Sequence, residues 1–325
     1  MRLPRRQVLK LAATAIVLPG VARIARAQAY PVRPVRILVG YAPGGVSDIM
    51  ARLIAPWLSE RLGQQFVVEN QPGASGNIAT EAAVRAAPDG YTLLLAGPNN
   101  SYNAALYERL NFNFIRDIAP VAPLCRDSFV MAVNPSLPVK TVAEFIAYAK
   151  ANQGKMNMGS SGAGSPSTLF GELFKSMTGV DLVAVNYRGV GAALPDLMGG
   201  RLEVIFLPIA SAVSYIRAGK LRPLGVTGST RVDSLPDVPT IGEVVPGYEA
   251  LAWDGIVAPA KTPQEIIAIL NREVTAALAD RTFKGRLVEL GVEPFSGTPA
   301  EFKGFIAAYT EKWAKVIQAA GIKAE

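Results

Sequence analysis

The stretch PVRILVGYAPGGVSDIMARLIAPWLSERLG (residues 34–63) predicts a strand, a glycine-rich turn and a helix, in that order. VRILVG is a short continuous apolar run, which is typical of a buried strand. Apolar residues at spacings of three and four from Ile49 to Leu62 indicate a helix with one apolar face. The turn between them lacks both the lysine of a phosphate loop and the third glycine of a dinucleotide turn, so it matches neither nucleotide motif.

The alternation of strand and helix continues along the chain. Further predicted strands are the apolar runs QFVVEN (65–70), YTLLLAG (91–97), LVAVNY (182–187), EVIFLP (203–208) and RPLGVTG (222–228). Capping boxes, in which a threonine and a glutamate satisfy free amides at a helix start, are predicted at TVAE (141–144), TPQE (262–265) and TPAE (298–301). This order of elements predicts an α/β fold of mainly parallel sheets with helices on both faces.

Two proline-rich turns, at residues 133–141 and 229–241, bracket a middle block with its own strand–helix alternation. We interpret this block as a second lobe, residues 129–228, inserted into a discontinuous first lobe of residues 28–128 and 229–325. Two chain crossings of this kind form a hinge with a cleft between the lobes. The alternative is one continuous α/β domain.

The first 27 residues have the features of an export signal: a basic start, an apolar run and a small-residue cleavage pattern ending at Ala27. The pair Arg5-Arg6 favours the twin-arginine type, and an ordinary Sec signal is the alternative. Both predict a periplasmic protein that starts near Gln28. The leader holds six of the 33 basic residues and none of the 26 acidic ones, so the remainder has a net charge near +1 and a nucleic-acid partner is not expected.

The residue types present argue against common catalytic machinery. The chain has no histidine and one cysteine, Cys125, which excludes catalysis by histidine and an intramolecular disulfide. No Ser-x-x-Lys motif or paired-acid motif stands out in the remaining sequence. We therefore expect a binding protein rather than an enzyme, with no cofactor and no metal ion.

Five segments that follow predicted strands, or lie next to them, are rich in Gly, Ser and Asn and poor in charge. They are APGGVSD (42–48), NQPGASGN (70–77), GPNNSYN (97–103), GSSGAGSPS (159–167) and YRGVG (187–191). Ligands of open α/β sheets bind beyond the carboxyl ends of the strands, where such loops offer amides and hydroxyls. Neutral donors of this kind suit a carboxylate. For any single loop, the alternative is a simple turn and helix cap.

The candidate ligand-binding residues come from these loops and from the strand-like run LAWDGIVAP (251–259). They are Gly44, Gly45, Ser47, Asp48, Asn99, Asn100, Ser160, Ser161, Gly162, Ser165, Tyr187, Arg188, Gly189, Trp253 and Asp254. For three of them the alternative is explicit. Asp48 either contacts the ligand or stabilises the first turn of its helix. Arg188 either pairs with a ligand carboxylate or points to solvent, and Trp253 either lines the pocket or packs in the core.

Taken together, the sequence resembles the substrate-binding proteins of tripartite tricarboxylate transporters, the Bug-type family. The similarity covers residues 28–325 and rests on stretches such as PGGVSDIMARLIAPWLSERLGQQFVVENQPGASGNIA, AAPDGYTLLLAG, AGKLRPLGVTGSTRVDSLPDVPTIGE and GYEALAWDGIVAPAKTP. The resemblance implies a two-lobed, type II-like periplasmic binding fold that closes on a small ligand, mostly a carboxylate. The first-loop positions that match are Gly44, Gly45, Ser47 and Asp48; those of the inserted lobe are Ser160, Ser161, Gly162, Tyr187, Arg188 and Gly189.

Three positions depart from the family pattern. The family usually has a histidine before a Pro-Tyr-Lys-Gly sequence in the strand where this chain reads AVNYRG, and it often has an acid where this chain has Leu207. It tends to have an aromatic residue where Asp254 stands. If Asp254 faces the pocket, a ligand with a cationic or hydrogen-bond-donating group becomes more plausible than a tricarboxylate.

The resemblance and the composition favour a receptor for a small organic acid. The expected partners are that acid and the integral membrane subunits of a cognate transporter, and we expect the receptor itself to be a monomer. One alternative is a receptor that presents its ligand to a sensor kinase. Another is a secreted hydrolase or lyase that uses Asp48 or Asp254.

Overall fold

The computed structural model describes residues 30–162 and 164–323, so the predicted export signal lies outside the described residues. The strands are β1 (Val35–Val39), β2 (Phe66–Asn70), β3 (Thr92–Ala96), β4 (Ile118–Val133), β5 (Asn157–Ser160), β6 (Val183–Asn186), β7 (Val204–Pro208), β8 (Arg222–Val226), β9 (Leu251–Pro259) and β10 (Glu293–Pro294). The α-helices are α1 (Val46–Leu62), α2 (Asn77–Val84), α3 (Pro98–Leu106), α4 (Phe114–Asp117), α5 (Val142–Ala151), α6 (Pro166–Thr178), α7 (Val190–Met198), α8 (Ile209–Arg217), α9 (Gln264–Ala279), α10 (Arg281–Glu289) and α11 (Pro299–Ala320). All six predicted apolar runs form strands.

The strands form one continuous sheet in the order β2-β1-β3-β9-β4-β7-β5-β6, with β8 and β10 paired to β4. The three strands at each end are mutually parallel, whereas β9 and β4 are antiparallel to their neighbours. The expected α/β fold class is confirmed, and the parallel strands of each end bring their carboxyl ends to one edge.

The long strand β4 joins two groups of strands. Its first part, up to Ser128, pairs with β9, and its last part, from Phe129, pairs with β7. We call β1, β2, β3, β9 and β10 the first strand group, and β5, β6, β7 and β8 the second strand group. The exchange of partner along β4 places the chain crossing between the groups near residue 128.

Helix starts follow the capping prediction at two of three places. Thr141 accepts from the Glu144 amide at the start of α5, and Thr298 and Glu301 form a reciprocal capping box at α11. The prediction at Thr262 is wrong, because the hydroxyl of Thr262 donates to the carbonyl of Pro259 and α9 begins after Pro263.

The apolar core extends under both strand groups, and α11 packs against both of them. Near its start, the ring of Phe302 packs edge-on against Trp253, with 5.4 Å between the ring centroids. Near its end, Trp313 stacks on Phe170 of α6 at 5.2 Å. Each such fully buried side chain contributes about 1.5–3 kcal/mol by leaving water, so α11 is a substantial tie between the groups. Within the described residues, no helix is both long and apolar enough to cross a membrane.

Candidate functional site

A cavity of about 590 Å³ lies between the carboxyl ends of the two sets of parallel strands. All five of the predicted polar loops contribute to its wall. Their lining residues include Gly45, Ser47, Ser75, Asn99, Ser161, Gly162, Ser165 and Gly189. The parallel strands of both groups therefore end at one shared space, which is where α/β sheets place ligands.

The first residues of four helices, and the residue before a fifth, also line this cavity. Val46 of α1, Pro98 of α3, Pro166 of α6 and Val190 of α7 lie at its wall, as does Pro208, which immediately precedes α8. A helix N-terminus has amides without intrahelical acceptors and the positive end of the helix dipole. Five of them around one cavity favour the binding of a negatively charged group, although no lysine or arginine is among the described lining residues.

Two glycines allow the loops of the second strand group to turn towards the cavity. Gly162 has a φ of +115° and Gly189 a φ of +101°, a region that residues with a side chain rarely adopt. Gly189 is the N-cap of α7, so its conformation sets the direction in which the first amides of that helix point. The glycines of these loops are thus required by backbone geometry.

Hydrogen bonds join the two sides of the cavity. The side-chain amide of Asn99, in α3, donates to the carbonyl of Gly164 at 3.2 Å, and the hydroxyl of Tyr102 donates to the same oxygen at 3.2 Å. On the second side, the Thr168 hydroxyl donates to the Gly162 carbonyl at 2.6 Å. The loop after β5 is therefore held both by its own helix and by α3, as in a closed cleft.

Asp48 lies outside the cavity lining and is 3% exposed. Its carboxylate accepts from Arg52 Nε at 3.0 Å, from the Gly44 amide at 2.9 Å and from Asn70 Nδ2 at 2.9 Å. These bonds, the one from Arg52 first, lower the pKa of Asp48 to about 2 in spite of its burial. The carboxylate thus fixes the first loop to α1 and to the end of β2.

Asp254 lines the cavity and is 6% exposed. Its Oδ1 accepts a hydrogen bond of 2.7 Å from the Ser47 hydroxyl. Burial raises the pKa of Asp254 to about 7, and the bond from Ser47 opposes this shift. The charge of this carboxyl therefore changes near neutral pH.

Some of the other predicted site residues lie away from the cavity wall. Gly44, Asn100, Ser160, Tyr187 and Arg188 are not among the lining residues. Asn100 caps α3 by accepting from the Gly97 amide at 2.7 Å, Ser160 donates to Asn186, and Tyr187 donates to Asp196. Arg188 is exposed next to the lining residue Gly189.

Trp253 borders the cavity, but its ring lies in the core. The ring is 1% exposed and packs against Phe302, Phe305 and Tyr309. Alternation along β9 explains the arrangement, because neighbouring residues of a strand point to opposite faces. Asp254 faces the cavity, and the side chain of Trp253 faces α11.

Several lining residues were not predicted from the sequence, among them Tyr41, Tyr107, Asp127 and Phe129. Asp127 is 6% exposed and lies in the middle of β4, which was not among the strands predicted from the sequence. The available signal was an acid within the apolar run LCRDSFVMAV. A buried acid in such a run suggests a functional role, but its position at the cavity depends on the pairing of β4 with β9.

The described residues contain no group of three or more His, Cys, Asp or Glu side chains that could hold a metal ion. Cys125 is fully buried as a free thiol, and burial raises its pKa well above the usual value. Among the described lining residues, neutral groups offer hydrogen-bond donors and, at one wall, the carboxyl groups of Asp127 and Asp254 offer acceptors.

Comparison with known proteins identifies the family. A family model described as "Tripartite tricarboxylate transporter family receptor" matches residues 50–322. A structure titled "R. palustris Rpa4515 with adipate" is 38% identical, with a TM-score of 0.81 over 91% of this chain and 100% of that one.

Two further structures agree. One is "Structure of periplasmic binding protein BugD", 31% identical with a TM-score of 0.77, covering 91% of this chain and 100% of that one. The other, "MatC (Rpa3494) from Rhodopseudomonas palustris with bound malate", is 32% identical with a TM-score of 0.76, covering 89% and 100%. The family consists of solute-binding receptors, so the hydrolase or lyase hypothesis is not supported. The chain belongs to the tripartite tricarboxylate transporter receptor family, and it is a solute-binding protein of the Bug type.

Proposed function

We propose that this protein is a periplasmic receptor that captures a small organic acid in its cavity and delivers it to the membrane subunits of a tripartite tricarboxylate-type transporter. The observation that supports this most strongly is the set of five helix N-termini around one cavity of about 590 Å³. That volume lies in the range of small-molecule sites. Adipate and malate, with which two related structures are described, are carboxylates of suitable size.

The carboxylate binds, in this proposal, to the loops of the second strand group. Ser161, Gly162, Ser165 and Gly189 line the cavity there, at the starts of α6 and α7. Their amides and hydroxyls supply several neutral hydrogen bonds and two helix dipoles. Gly45, Ser47 and Asn99 complete the site from the first strand group.

The two strand groups are the two lobes of this proposal, residues 28–128 with 229–325, and residues 129–228. The exchange of partners along β4 supports a hinge near residue 128. Binding then stabilises the closed cleft that the bonds from Asn99 and Tyr102 to Gly164 hold together. The export signal of residues 1–27 brings the protein to the periplasm.

Thermal-shift screening of purified residues 28–325 tests ligand capture. Monocarboxylates, dicarboxylates, tricarboxylates, aromatic acids and amino acids form the panel, and a ligand that binds the folded state alone raises the melting temperature. At a concentration of 100 times Kd the stabilisation is about 2.7 kcal/mol. A panel in which no acid stabilises the protein contradicts the proposal.

Uptake of the bound acid in a deletion strain tests delivery. Loss of uptake, restored by the intact gene, is the expected result. Normal uptake with lost induction of the transport genes would instead favour a receptor for a sensor kinase.

A further inference from the structure

Two buried carboxyl groups lie side by side at one wall of the cavity. Asp127 of β4 is opposite Ala252 in the antiparallel pair, and Asp254 is two residues further along β9. Both carboxyls line the cavity from the same face of the sheet, and each residue is 6% exposed. The Cα atoms of diagonal neighbours on one face of a sheet are about 7–8 Å apart. This spacing lets both carboxyl side chains approach one small group between them.

These carboxyls have few hydrogen-bond donors around them. Asp254 accepts from Ser47, and Asp127 Oδ1 has no hydrogen-bond partner within the described part of the chain. A buried acceptor left without a donor costs about 1–3 kcal/mol. A residue of the cavity wall thus has an acceptor that no donor of the described chain satisfies.

No positive side chain compensates these acids at the wall. The lining residues, as far as the structure describes them, include no lysine or arginine. The neighbouring Arg126 holds its guanidinium over the ring of Phe295, 3.8 Å from the centroid. The other titratable groups that interact with the pair are neutral or acidic: Tyr41, Cys125 and Glu293.

The geometry points to an ammonium subsite: Asp127 and Asp254 together bind an N–H-bearing cationic group of the ligand, while its carboxylate lies on the loops at the starts of α6 and α7. The ligand is therefore an amino acid or a similar zwitterion rather than a dicarboxylate. This inference rests on the proposed function, because it assigns a binding site to the end of the ligand that lies opposite its carboxylate. An ammonium nitrogen that donates to both carboxyl groups joins oxygens about 4.5–5 Å apart.

The need for hydrogen-bond donors on the ligand distinguishes this subsite from one that recognises only a positive charge. The free lone pairs of Asp127 Oδ1 need a donor, which a trimethylammonium group does not have. A protonated amine donates to this acceptor and brings one positive charge next to the buried Asp254 carboxyl. Methylation of the amine to the quaternary form therefore removes affinity although the charge is kept.

Calorimetry with matched ligands tests the inference at about pH 8, where Asp254 is ionised. The probes are the common amino acids and three series of equal chain lengths: ω-amino acids from 4-aminobutanoate to 6-aminohexanoate, the corresponding dicarboxylates, and the corresponding monocarboxylates. The best amino acid is expected to bind at least tenfold more tightly than any dicarboxylate or monocarboxylate of its length. Its N-trimethyl analogue is expected to bind at least tenfold more weakly than the amine.

The variants Asp127→Asn and Asp254→Asn each replace one carboxyl group by an amide of nearly the same shape. Each is expected to weaken the amino acid at least tenfold and to leave or improve dicarboxylate binding, so that the ratio of the two affinities falls. Asp237→Asn, which alters an exposed acid outside the cavity lining, is the control and leaves the ratio unchanged.

The outcomes separate this inference from the proposed function. A dicarboxylate that binds best to the wild type overturns the ammonium subsite and leaves the organic-acid receptor intact. An affinity ratio that does not change in either variant also overturns the subsite. Absence of binding by every acid, with and without an amine, contradicts the proposed function itself.

Discussion

Asp48, in the first loop (residues 42–48), and Asp254, which is hydrogen-bonded to that loop, are both buried acids. Their surroundings shift their pKa values in opposite directions. Asp48 accepts hydrogen bonds from Arg52, Gly44 and Asn70, and its pKa falls to about 2. Asp254 accepts from Ser47 within the described residues, and burial raises its pKa to about 7. Both acids are less than 10% exposed.

The difference shows that burial alone does not decide what a carboxylate does. Asp48 is saturated by donors of its own chain, so it has a structural role and its charge is permanent at neutral pH. Asp254 and its neighbour Asp127 have acceptors in excess of the donors around them, so they are available to a ligand. The number of hydrogen-bond donors around each carboxyl group thus distinguishes an acid with a structural role from an acid that can bind a ligand.

The largest effect is expected from Asp48→Ala. The change leaves the Gly44 amide and the side chains of Asn70 and Arg52 without their shared acceptor, so the free energy of unfolding falls by about 2–4 kcal/mol. Urea denaturation at neutral pH measures it, with Asp237→Ala as an exposed control that changes stability by less than about 0.5 kcal/mol. A loss below about 1 kcal/mol would show that Asp48 is not the anchor of the first loop.

A smaller effect of opposite sign is expected from Asp254→Asn in the ligand-free protein. The amide keeps an oxygen to accept from Ser47 and removes a buried charge, so stability at about pH 8 rises by about 1–3 kcal/mol. In the wild type, the folded state keeps a proton that the unfolded chain has lost between the ordinary pKa of 3.8 and about 7. Stability due to this group therefore falls as pH rises through that window.

Denaturation at several pH values between about 4 and 8 checks this, since the fall is expected to be smaller in the variant. Part of it remains, because burial also raises the pKa of Asp127 well above its usual value. Asp48 gives the reverse dependence: its contribution is complete above the ordinary pKa of 3.8 and is lost as pH falls towards 2. Equal slopes in wild type and Asp254→Asn would mean that Asp254 is ionised throughout.

The smallest effect is expected from Arg52→Ala. The Arg52 side chain is 52% exposed, so its ion pair with Asp48 is screened by water and contributes less than about 1 kcal/mol. Because the amide of Gly44 and the side chain of Asn70 remain bonded to Asp48, the first loop keeps its conformation. Urea denaturation again measures the change, and a loss as large as that of Asp48→Ala would assign the role of Asp48 to the ion pair.

Local pattern was sufficient to predict much of the fold. The apolar runs gave six strands, because continuous burial leaves a clear signal in the sequence, and the loops after them proved to share one cavity. The cap at Thr262 failed because its hydroxyl bonds to Pro259 instead of a helix amide, a competition that the sequence pattern does not reveal.

The site itself was only partly predictable, for a different reason. Asp127 reaches the cavity through the pairing of β4 with β9, which joins residues more than a hundred positions apart. The contrast between Asp48 and Asp254 likewise depends on donors such as Asn70 and Ser47 that meet them only in the folded chain. The sequence pattern identified the loops, whereas contacts between distant parts of the chain determine which side chains line the cavity.

A crystal structure of residues 28–325 with the tightest acid of the binding screen is the most direct test of the proposed site. We predict a ligand inside the cavity, with its carboxylate on the amides and hydroxyls around Ser161, Gly162 and Gly189 and no ligand atom bonded to Asp48. A ligand bound outside this cavity, or one whose carboxylate is held by other groups while these donors stay free, would contradict the proposal.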